Sequence, residues 1–238
     1  MKNPASDSRI RAIHGDLSQR AVADTRTMAW QPSPSGTVWR KRLHLVGPPE
    51  AGQVTSLVRY EPHATFPAHD HPHGEEIFVL AGTFSDEHGD WPAGTYLLNP
   101  EGFRHAPLSR DGCVLFVKLR QYSGSGRSHV VRSVDDMDWQ VTAHDGIRTK
   151  ILYSDPAFPD HTQLEQWQAG SAPGVWSYTG GVELFVLKGS CEDEYGVYEE
   201  HTWLRMPAGG RHRPTSAQGC ELYVKTGALP ALQSMAEQ

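Results

Sequence analysis

The chain has 238 residues with 28 acidic and 22 basic side chains, so its formal net charge is -6. This balance argues against a surface for nucleic acids or anionic membranes. No apolar run approaches the roughly 20 residues that span a bilayer, and the N-terminus lacks the hydrophobic stretch of a secretion signal. The three cysteines are widely spaced, which argues against both a disulfide framework and a thiolate zinc site. We therefore expect a cytoplasmic protein without nucleic-acid or membrane partners.

The sequence contains an internal repeat. The segment Glu76–Trp91 (EIFVLAGTFSDEHGDW) is matched without gaps by Glu183–Tyr198 (ELFVLKGSCEDEYGVY), 107 residues further along the chain. The same offset relates three later residues of the first copy to counterparts in the second: Pro100 to Pro207, Gly102 to Gly209 and His105 to His212. The repeat predicts an N-terminal arm with a first strand over residues 1–40, a first lobe over 41–122, a linker over 123–129 and a second lobe over 130–238.

Within each copy the local pattern favours β-strands. Short apolar runs bounded by Gly, Pro, Asp and Asn occur in the first copy at Ile77–Leu80, Tyr96–Leu98 and Val114–Val117. The intervening Asp86–Asp90 has the composition of a hairpin connection. Only residues 16–23 and 228–238 leave room for a turn or two of helix. The chain is therefore predicted to be all-β, with each copy forming a sandwich or barrel.

Four residues of the first copy form a candidate metal site. His69 and His71 are two positions apart, so on a strand both imidazoles project from one face. Glu75 has the same parity, and His105 follows a later strand in a turn that returns across the barrel mouth. Three imidazoles and one carboxylate suit a divalent ion such as zinc, iron, manganese or nickel.

The spacing of these residues carries a family resemblance. The pattern H-x-H-x3-E-x6-G over His69–Gly82 and the pattern G-x5-P-x-G-x2-H over Gly94–His105 resemble the two cupin motifs. Ser109 departs from the asparagine that often follows the second motif. The segment HPHGEEIFVLAGTFSDEHGDWPAGTYLLNPEGFRH is more specifically similar to the cupin domain of the anti-sigma factor ChrR. This resemblance implies two tandem cupin lobes of the RmlC-like jelly-roll fold, with short N- and C-terminal extensions.

The second copy lacks most of the site. The repeat offset aligns the four candidate ligands with residues that cannot together hold a metal: His69 with Trp176, His71 with Tyr178, Glu75 with Val182, and His105 with His212. The large replacements can fill the volume that a metal and its ligand would need, so the second lobe is predicted to be a packing partner. Glu76 is retained as Glu183 although the ligands are lost, which indicates a structural role for this glutamate.

Two functions remain open at this point. The resemblance implies a regulatory, stress-sensing protein that binds one divalent metal, zinc in the first place, and has a sigma factor as partner by family analogy. Residues 1–40 contain His14 and no cysteine, so the N-terminal zinc-binding anti-sigma domain of ChrR is not expected.

The alternative is a non-haem metal-dependent dioxygenase that cleaves diketones or hydroxyaromatic ketones at the first-lobe site. A small molecule would then bind at the metal. His73, Tyr96 and Arg104 are polar candidates near the ligands, but no catalytic residue beyond the ligands can be assigned from the sequence. Either function is compatible with a monomer or a homodimer, because the duplication can supply lobe pairing within one chain.

Overall fold

The computed structural model describes residues 12–122 and 125–236, and the remainder of the predicted arm, linker and C-terminal extension lies outside these ranges. The described chain is built from short strands joined by turns. The strands of the first half are β1 (Ala21–Asp24), β2 (Gln31–Pro32), β3 (Val38–Val46), β4 (Gln53–Tyr60), β5 (Ala64–Thr65), β6 (His69–His71), β7 (Glu75–Asp86), β8 (Gly89–Pro92), β9 (Thr95–Asn99), β10 (Phe103–His105), β11 (Leu108–Ser109) and β12 (Cys113–Leu119).

The second half repeats this order and ends in a helix. Its elements are β13 (Val130–Ser133), β14 (Gln140–Val141), β15 (Ile147–Ser154), β16 (His161–Trp167), β17 (Trp176–Tyr178), β18 (Val182–Asp193), β19 (Gly196–Glu199), β20 (Thr202–Met206), β21 (Gly210–His212), β22 (Cys220–Thr226) and the helix α1 (Leu229–Ala236). Single turns of 3-10 helix follow β1 and β13, at Thr25–Thr27 and Val134–Asp136.

The two halves have the same antiparallel topology. The main sheet of lobe 1 has the strand order β13-β9-β7-β12-β4-β3-β2, and that of lobe 2 has the corresponding order β1-β20-β18-β22-β16-β15-β14. A two-stranded sheet faces each main sheet, β6 with β10 in lobe 1 and β17 with β21 in lobe 2. Two facing sheets of this kind make the predicted jelly-roll barrel, and the tandem arrangement is therefore confirmed.

The lobes exchange their first strands. β1 precedes lobe 1 in the chain but pairs with β20 of lobe 2, and β13 follows the linker but pairs with β9 of lobe 1. The sequence-based division assigned the whole of residues 130–238 to the second lobe, whereas Val130–Ser133 completes the sheet of the first. The difference arises because pairing across the linker is a long-range contact that local sequence patterns do not encode.

An aromatic core joins the lobes. Phe116 stacks on Phe185 with ring centroids 4.9 Å apart, and Tyr223 meets the edge of Phe116 at 5.2 Å. Phe78 packs against Tyr223 at 5.8 Å. Phe78 and Phe116 correspond in the repeat to Phe185 and Tyr223, so each lobe contributes the same two positions. Such aromatic contacts add directional packing energy to the burial of apolar area.

Two buried ion pairs cross the same interface. Lys225 Nζ of lobe 2 lies 2.7 Å from a carboxylate oxygen of Glu76 in lobe 1. Lys118 Nζ of lobe 1 lies 2.5 Å from a carboxylate oxygen of Glu183 in lobe 2. Burial opposes ionisation of Glu76, but the charge of Lys225 and the hydrogen bonds from Lys225 and Tyr223 together lower the pKa of that carboxyl. The repeated glutamates thus connect the two lobes.

Other local expectations have clear outcomes. The hairpin predicted over Asp86–Asp90 joins β7 to β8. The C-terminal residues form α1, whose Leu229 and Leu232 pack against Leu17 of the N-terminal arm. The three cysteines are free and buried. Within residues 12–122 and 125–236, no helix is long and apolar enough to cross a membrane.

Candidate metal centre

Backbone pairing brings the candidate ligands of lobe 1 together. β6 and β10 pair antiparallel with His69 directly opposite His105. His71 lies two residues further along β6 on the same side, and Glu75 opens β7 after the turn that ends β6. The intervening Asp70 is exposed, as expected for the opposite face of a strand. The spacing seen in the sequence therefore places three imidazoles and one carboxylate at one end of the barrel.

The distances between these side chains are short. Nε2 of His71 and Nε2 of His105 are 2.9 Å apart. A carboxylate oxygen of Glu75 lies 3.5 Å from the first and 3.4 Å from the second. His69, His71 and His105 each contribute one ring nitrogen, and these three nitrogens all lie within 4.8 Å of one another. His71, Glu75 and His105 are buried and His69 is half-buried.

Neighbouring groups fix the orientation of the rings. His69 Nδ1 donates a hydrogen bond to the Pro67 carbonyl oxygen at 2.9 Å, and His105 Nδ1 donates one to Asp86 Oδ2 at 3.1 Å. The Pro67 carbonyl oxygen can only accept a hydrogen bond, and so can the Asp86 carboxylate when it is ionised. In the neutral rings of His69 and His105 the proton therefore resides on Nδ1, and the lone pair of Nε2 remains free. A carboxylate that binds the second nitrogen of a histidine is a usual support for a metal ligand.

The donor set fits a divalent cation. Two Nε2 atoms that face each other at 2.9 Å need a shared proton or a cation between them. Burial lowers the pKa of His71, and the Glu75 charge only partly opposes this effect. Burial also lowers the pKa of His105, but its hydrogen bond to Asp86 and the Glu75 charge shift it upward overall. The residues present thus suit the metal ion that a cupin motif implies.

A cavity adjoins three of the four residues. It has a volume of about 80 Å³ inside the barrel, and His69, His71 and Glu75 form its polar end. A wider space of about 340 Å³ at the barrel mouth also borders His69 and His71. The remaining wall of the inner cavity is mainly apolar and includes Val38, Val58, Phe66, Ile77, Phe84, Leu115 and Val117. A small molecule that enters the barrel would therefore meet the imidazoles directly.

Lobe 2 replaces the metal site with a hydrogen-bonded chain. Tyr178 donates its hydroxyl proton to His212 Nε2 at 2.9 Å, and His212 Nδ1 donates to Asp193 Oδ2 at 2.8 Å. Tyr178, Asp193 and His212 are the counterparts of His71, Asp86 and His105. The second histidine and its carboxylate are thus retained in the same geometry. In lobe 2 the Tyr178 hydroxyl donates to Nε2 of His212, whereas in lobe 1 the corresponding Nε2 of His105 faces His71.

The interior of lobe 2 is filled. The corresponding cavity has a volume of about 10 Å³, against about 80 Å³ in lobe 1. Trp176 stands at the position of His69 and packs edge-on against Trp167 with ring centroids 5.1 Å apart. Within the described ranges, the only cluster of three or more potential metal ligands is that of lobe 1. The aromatic residues therefore fill the inner part of the lobe 2 barrel, and a space of about 530 Å³ borders Trp176 and Tyr178 outside it.

A family model described as the ChrR cupin-like domain matches the chain twice, over residues 18–123 and 127–230. The chain belongs to the ChrR cupin-like family. Each match spans one copy of the repeat, so the two-lobed cupin architecture follows from sequence and structure alike. No curated protein sequence matches the chain.

Solved structures share the fold of this ChrR-like bicupin at low sequence identity. A proposed dioxygenase from Nostoc punctiforme is 14% identical with a TM-score of 0.72, over 90% of this chain and 84% of that one. The protein YlbA from E. coli is 15% identical with a TM-score of 0.69, over 91% and 93%. A salicylate 1,2-dioxygenase from Pseudoaminobacter salicylatoxidans, with gentisate adducts, is 12% identical with a TM-score of 0.63, over 92% and 84%.

The three polar candidates near the ligands lie elsewhere in this ChrR-like bicupin. Arg104 is exposed and forms an ion pair with Asp70 at 3.1 Å on the outer face. Tyr96 is fully buried in the core between the lobes. His73 borders a different surface cavity, next to Gln53. None of these three residues borders the inner cavity of lobe 1.

Sequence reasoning missed several residues of the site. Asp86 orients His105, and Asn99 donates a hydrogen bond to the Glu75 carboxylate at 2.9 Å. The repeat contains a signal for Asp86, because Asp193 is retained together with His212. Asn99 has no such signal, since its counterpart is Met206. Arg40 borders both the inner cavity and the mouth but lies far from the motifs in sequence.

Proposed function

We propose that lobe 1 binds one divalent metal ion through His69, His71, Glu75 and His105 and acts as a dioxygenase on a small molecule that enters the barrel. The supporting observation is the cavity, because it borders His69, His71 and Glu75 and shares the two histidines with the wider space at the mouth. A purely structural metal site is closed by its protein ligands, whereas a catalytic one keeps an accessible position.

The chemistry of the donor set limits the metal. Imidazole and carboxylate ligands accept zinc, iron, manganese and nickel. Zinc is redox-inert, so dioxygenase activity needs iron or another redox-active ion in place of the zinc that the family resemblance suggests. When bound, such an ion supplies dioxygen activation and polarisation of a coordinated substrate oxygen. The protein supplies an apolar barrel interior that limits access of water.

Metal analysis and oxygen uptake test this proposal together. The full chain is purified without oxygen, its metal content is measured by mass spectrometry, and oxygen uptake is followed with acetylacetone and 2-hydroxyacetophenone. We expect about one equivalent of iron per chain and oxygen consumption in proportion to substrate. Incorporation of ¹⁸O from labelled dioxygen into the products distinguishes a dioxygenase from simple oxidation. Iron-loaded protein that consumes no oxygen with small ketones or with small carboxylic acids would refute the enzymatic proposal.

A second candidate is a regulatory role, which the family match favours over nearly the whole chain. In that case the metal is zinc, and the partner is a sigma factor in the cytoplasm. Binding of the purified zinc-loaded chain to sigma factors from the same organism, measured by calorimetry with and without oxidant, tests this role. Oxidant-dependent binding together with stoichiometric zinc and no oxygen uptake would replace the enzymatic proposal.

A further inference from the structure

Arg40 stands at the junction of the inner cavity and the mouth of lobe 1. It borders both spaces, and its side chain is 18% exposed. Its guanidinium lies 2.6 Å from both carboxylate oxygens of Glu50, which is 47% exposed in the turn between β3 and β4. One guanidinium nitrogen, Nη1, donates to both oxygens, and Arg42 Nη2 donates to one of the same oxygens at 3.0 Å. The counter-charge of Arg40 is therefore a solvent-exposed side chain that a ligand can displace.

A second arginine borders the same mouth. Arg120 follows β12 and has a backbone φ of +58°, in the region that favours glycine. Lobe 2 has Gly227 at this position with a φ of +79°. The two backbones are held alike, by hydrogen bonds from Arg120 N to the Gly74 carbonyl and from Gly227 N to the Gly181 carbonyl. Lobe 1 thus carries a long cationic side chain at a position whose backbone conformation favours glycine.

The Arg120 side chain has no charged partner among the described residues. Among residues 12–122 and 125–236, it forms no ion pair and no side-chain hydrogen bond, although it borders the mouth. The acidic Asp70 on the same rim is already paired with Arg104. Lobe 2 offers no counterpart to Arg40 either, because its equivalent by strand register is Thr149. Both arginines are therefore features of the lobe that carries the candidate metal ligands.

We propose that lobe 1 selects small molecules that carry a carboxylate, with Arg40 and Arg120 holding the carboxylate at the mouth while the apolar body of the molecule reaches toward the imidazoles. This inference rests on the proposed function, since it assigns a substrate class to the same site. The apolar wall suits a short hydrocarbon or single-ring body. The distribution of charge, cationic at the mouth and metal-binding within, suits an anion better than a neutral ketone.

Calorimetric titration of the metal-loaded full chain tests the selectivity. The probes are benzoate and isobutyrate, each compared with its neutral amide of nearly the same shape. We expect the acids to bind and the amides to bind about 10- to 100-fold more weakly, the range for loss of a charge-assisted hydrogen bond. Arg40→Gln should remove most of this preference. Arg120→Gly should reduce it while relieving backbone strain, so that misfolding would not account for the loss.

Two further variants give results that a nonspecific charge effect would not produce. Glu50→Gln removes the competing carboxylate and should strengthen acid binding several-fold. Arg110→Gln removes an exposed positive charge outside the mouth, where Arg110 pairs with Asp90, and should leave acid binding unchanged. Equal affinity for acids and amides in metal-loaded protein, or loss of acid binding in Arg110→Gln as large as in Arg40→Gln, would overturn this inference. Failure of the wild-type chain to bind metal would instead count against the proposed function.

Discussion

The two lobes hold nearly the same hydrogen-bonded chain around different centres. In lobe 1, Asp86 supports His105, whose free nitrogen faces His71. In lobe 2, Asp193 supports His212, whose Nε2 accepts a hydrogen bond from the Tyr178 hydroxyl. Lobe 2 thus retains the histidine and the carboxylate that orients it, and lacks the other three candidate ligands. The comparison indicates that a buried imidazole needs a partner for its second nitrogen whether or not a metal is bound.

The comparison also separates residues of the fold from residues of the site. Glu76 and Lys118 have exact counterparts in Glu183 and Lys225, and all four lie in the shared interface. Arg40, Glu75 and Asn99 have counterparts without charge or metal-binding atoms of the same kind: Thr149, Val182 and Met206. Among these residues, the matched ones therefore belong to the architecture and the unmatched ones to the chemistry of lobe 1.

The largest expected effect is on metal binding, which distinguishes the two lobes. His71→Ala should abolish stoichiometric metal binding, because it removes a buried imidazole that lies 2.9 Å from Nε2 of His105. The matched variant in lobe 2, Tyr178→Ala, should leave the metal content unchanged. Mass spectrometry of both purified proteins measures this difference. A full equivalent of metal retained by His71→Ala would show that the ligand assignment is wrong.

The next effect concerns the feature that the lobes share. Lys225→Met and Lys118→Met each leave a buried carboxylate without its lysine partner, which costs about 3–5 kcal/mol of unfolding free energy. Urea denaturation at neutral pH measures the loss. Arg110→Met breaks the exposed pair with Asp90, whose side chains are 67% and 57% exposed, and should leave the urea midpoint unchanged. A similar midpoint for all three variants would contradict the assigned role of the interface pairs.

The smallest expected effect is the change in metal affinity when the carboxylate beside each histidine, Asp86 or Asp193, is replaced. Asp86→Asn weakens the hydrogen bond that orients His105 and should lower metal affinity about 10- to 100-fold, a usual cost for losing such a support. Asp193→Asn makes the same change in lobe 2 and should not alter metal affinity. Competition with a chromophoric chelator provides the measurement. Equal affinities for the wild type and Asp86→Asn would mean that His105 is oriented by the β6–β10 pairing alone.

Much of this architecture could be predicted from sequence because its signals are local or periodic. The i, i+2 spacing of His69 and His71 determines a shared face, and the gapless repeat reveals both lobes and the altered second site. The family motif implied that His105 belongs with them. In each case a short pattern was sufficient, since strand alternation alone decides on which side a residue lies.

The remaining features depend on contacts between distant segments. The pairing of Glu76 with Lys225 joins residues 149 positions apart, and nothing near either residue specifies its partner. The same holds for Asn99 beneath Glu75 and for Arg40 at the mouth, which reach the site only through the strand order of the sheet. Sequence reasoning could indicate that Glu76 is structural, but not which lobe it binds.

The exchange of β1 and β13 bears on how the chain can be divided. A fragment cut at the linker keeps β9 but loses β13, so the backbone edge of β9 along Thr95–Leu98 would be left without its partner. Open edges of this kind promote pairing with other chains. The natural cutting points for an autonomous metal-binding lobe therefore lie before β2 and after Ser133, so that the linker lies inside the fragment instead of at its end.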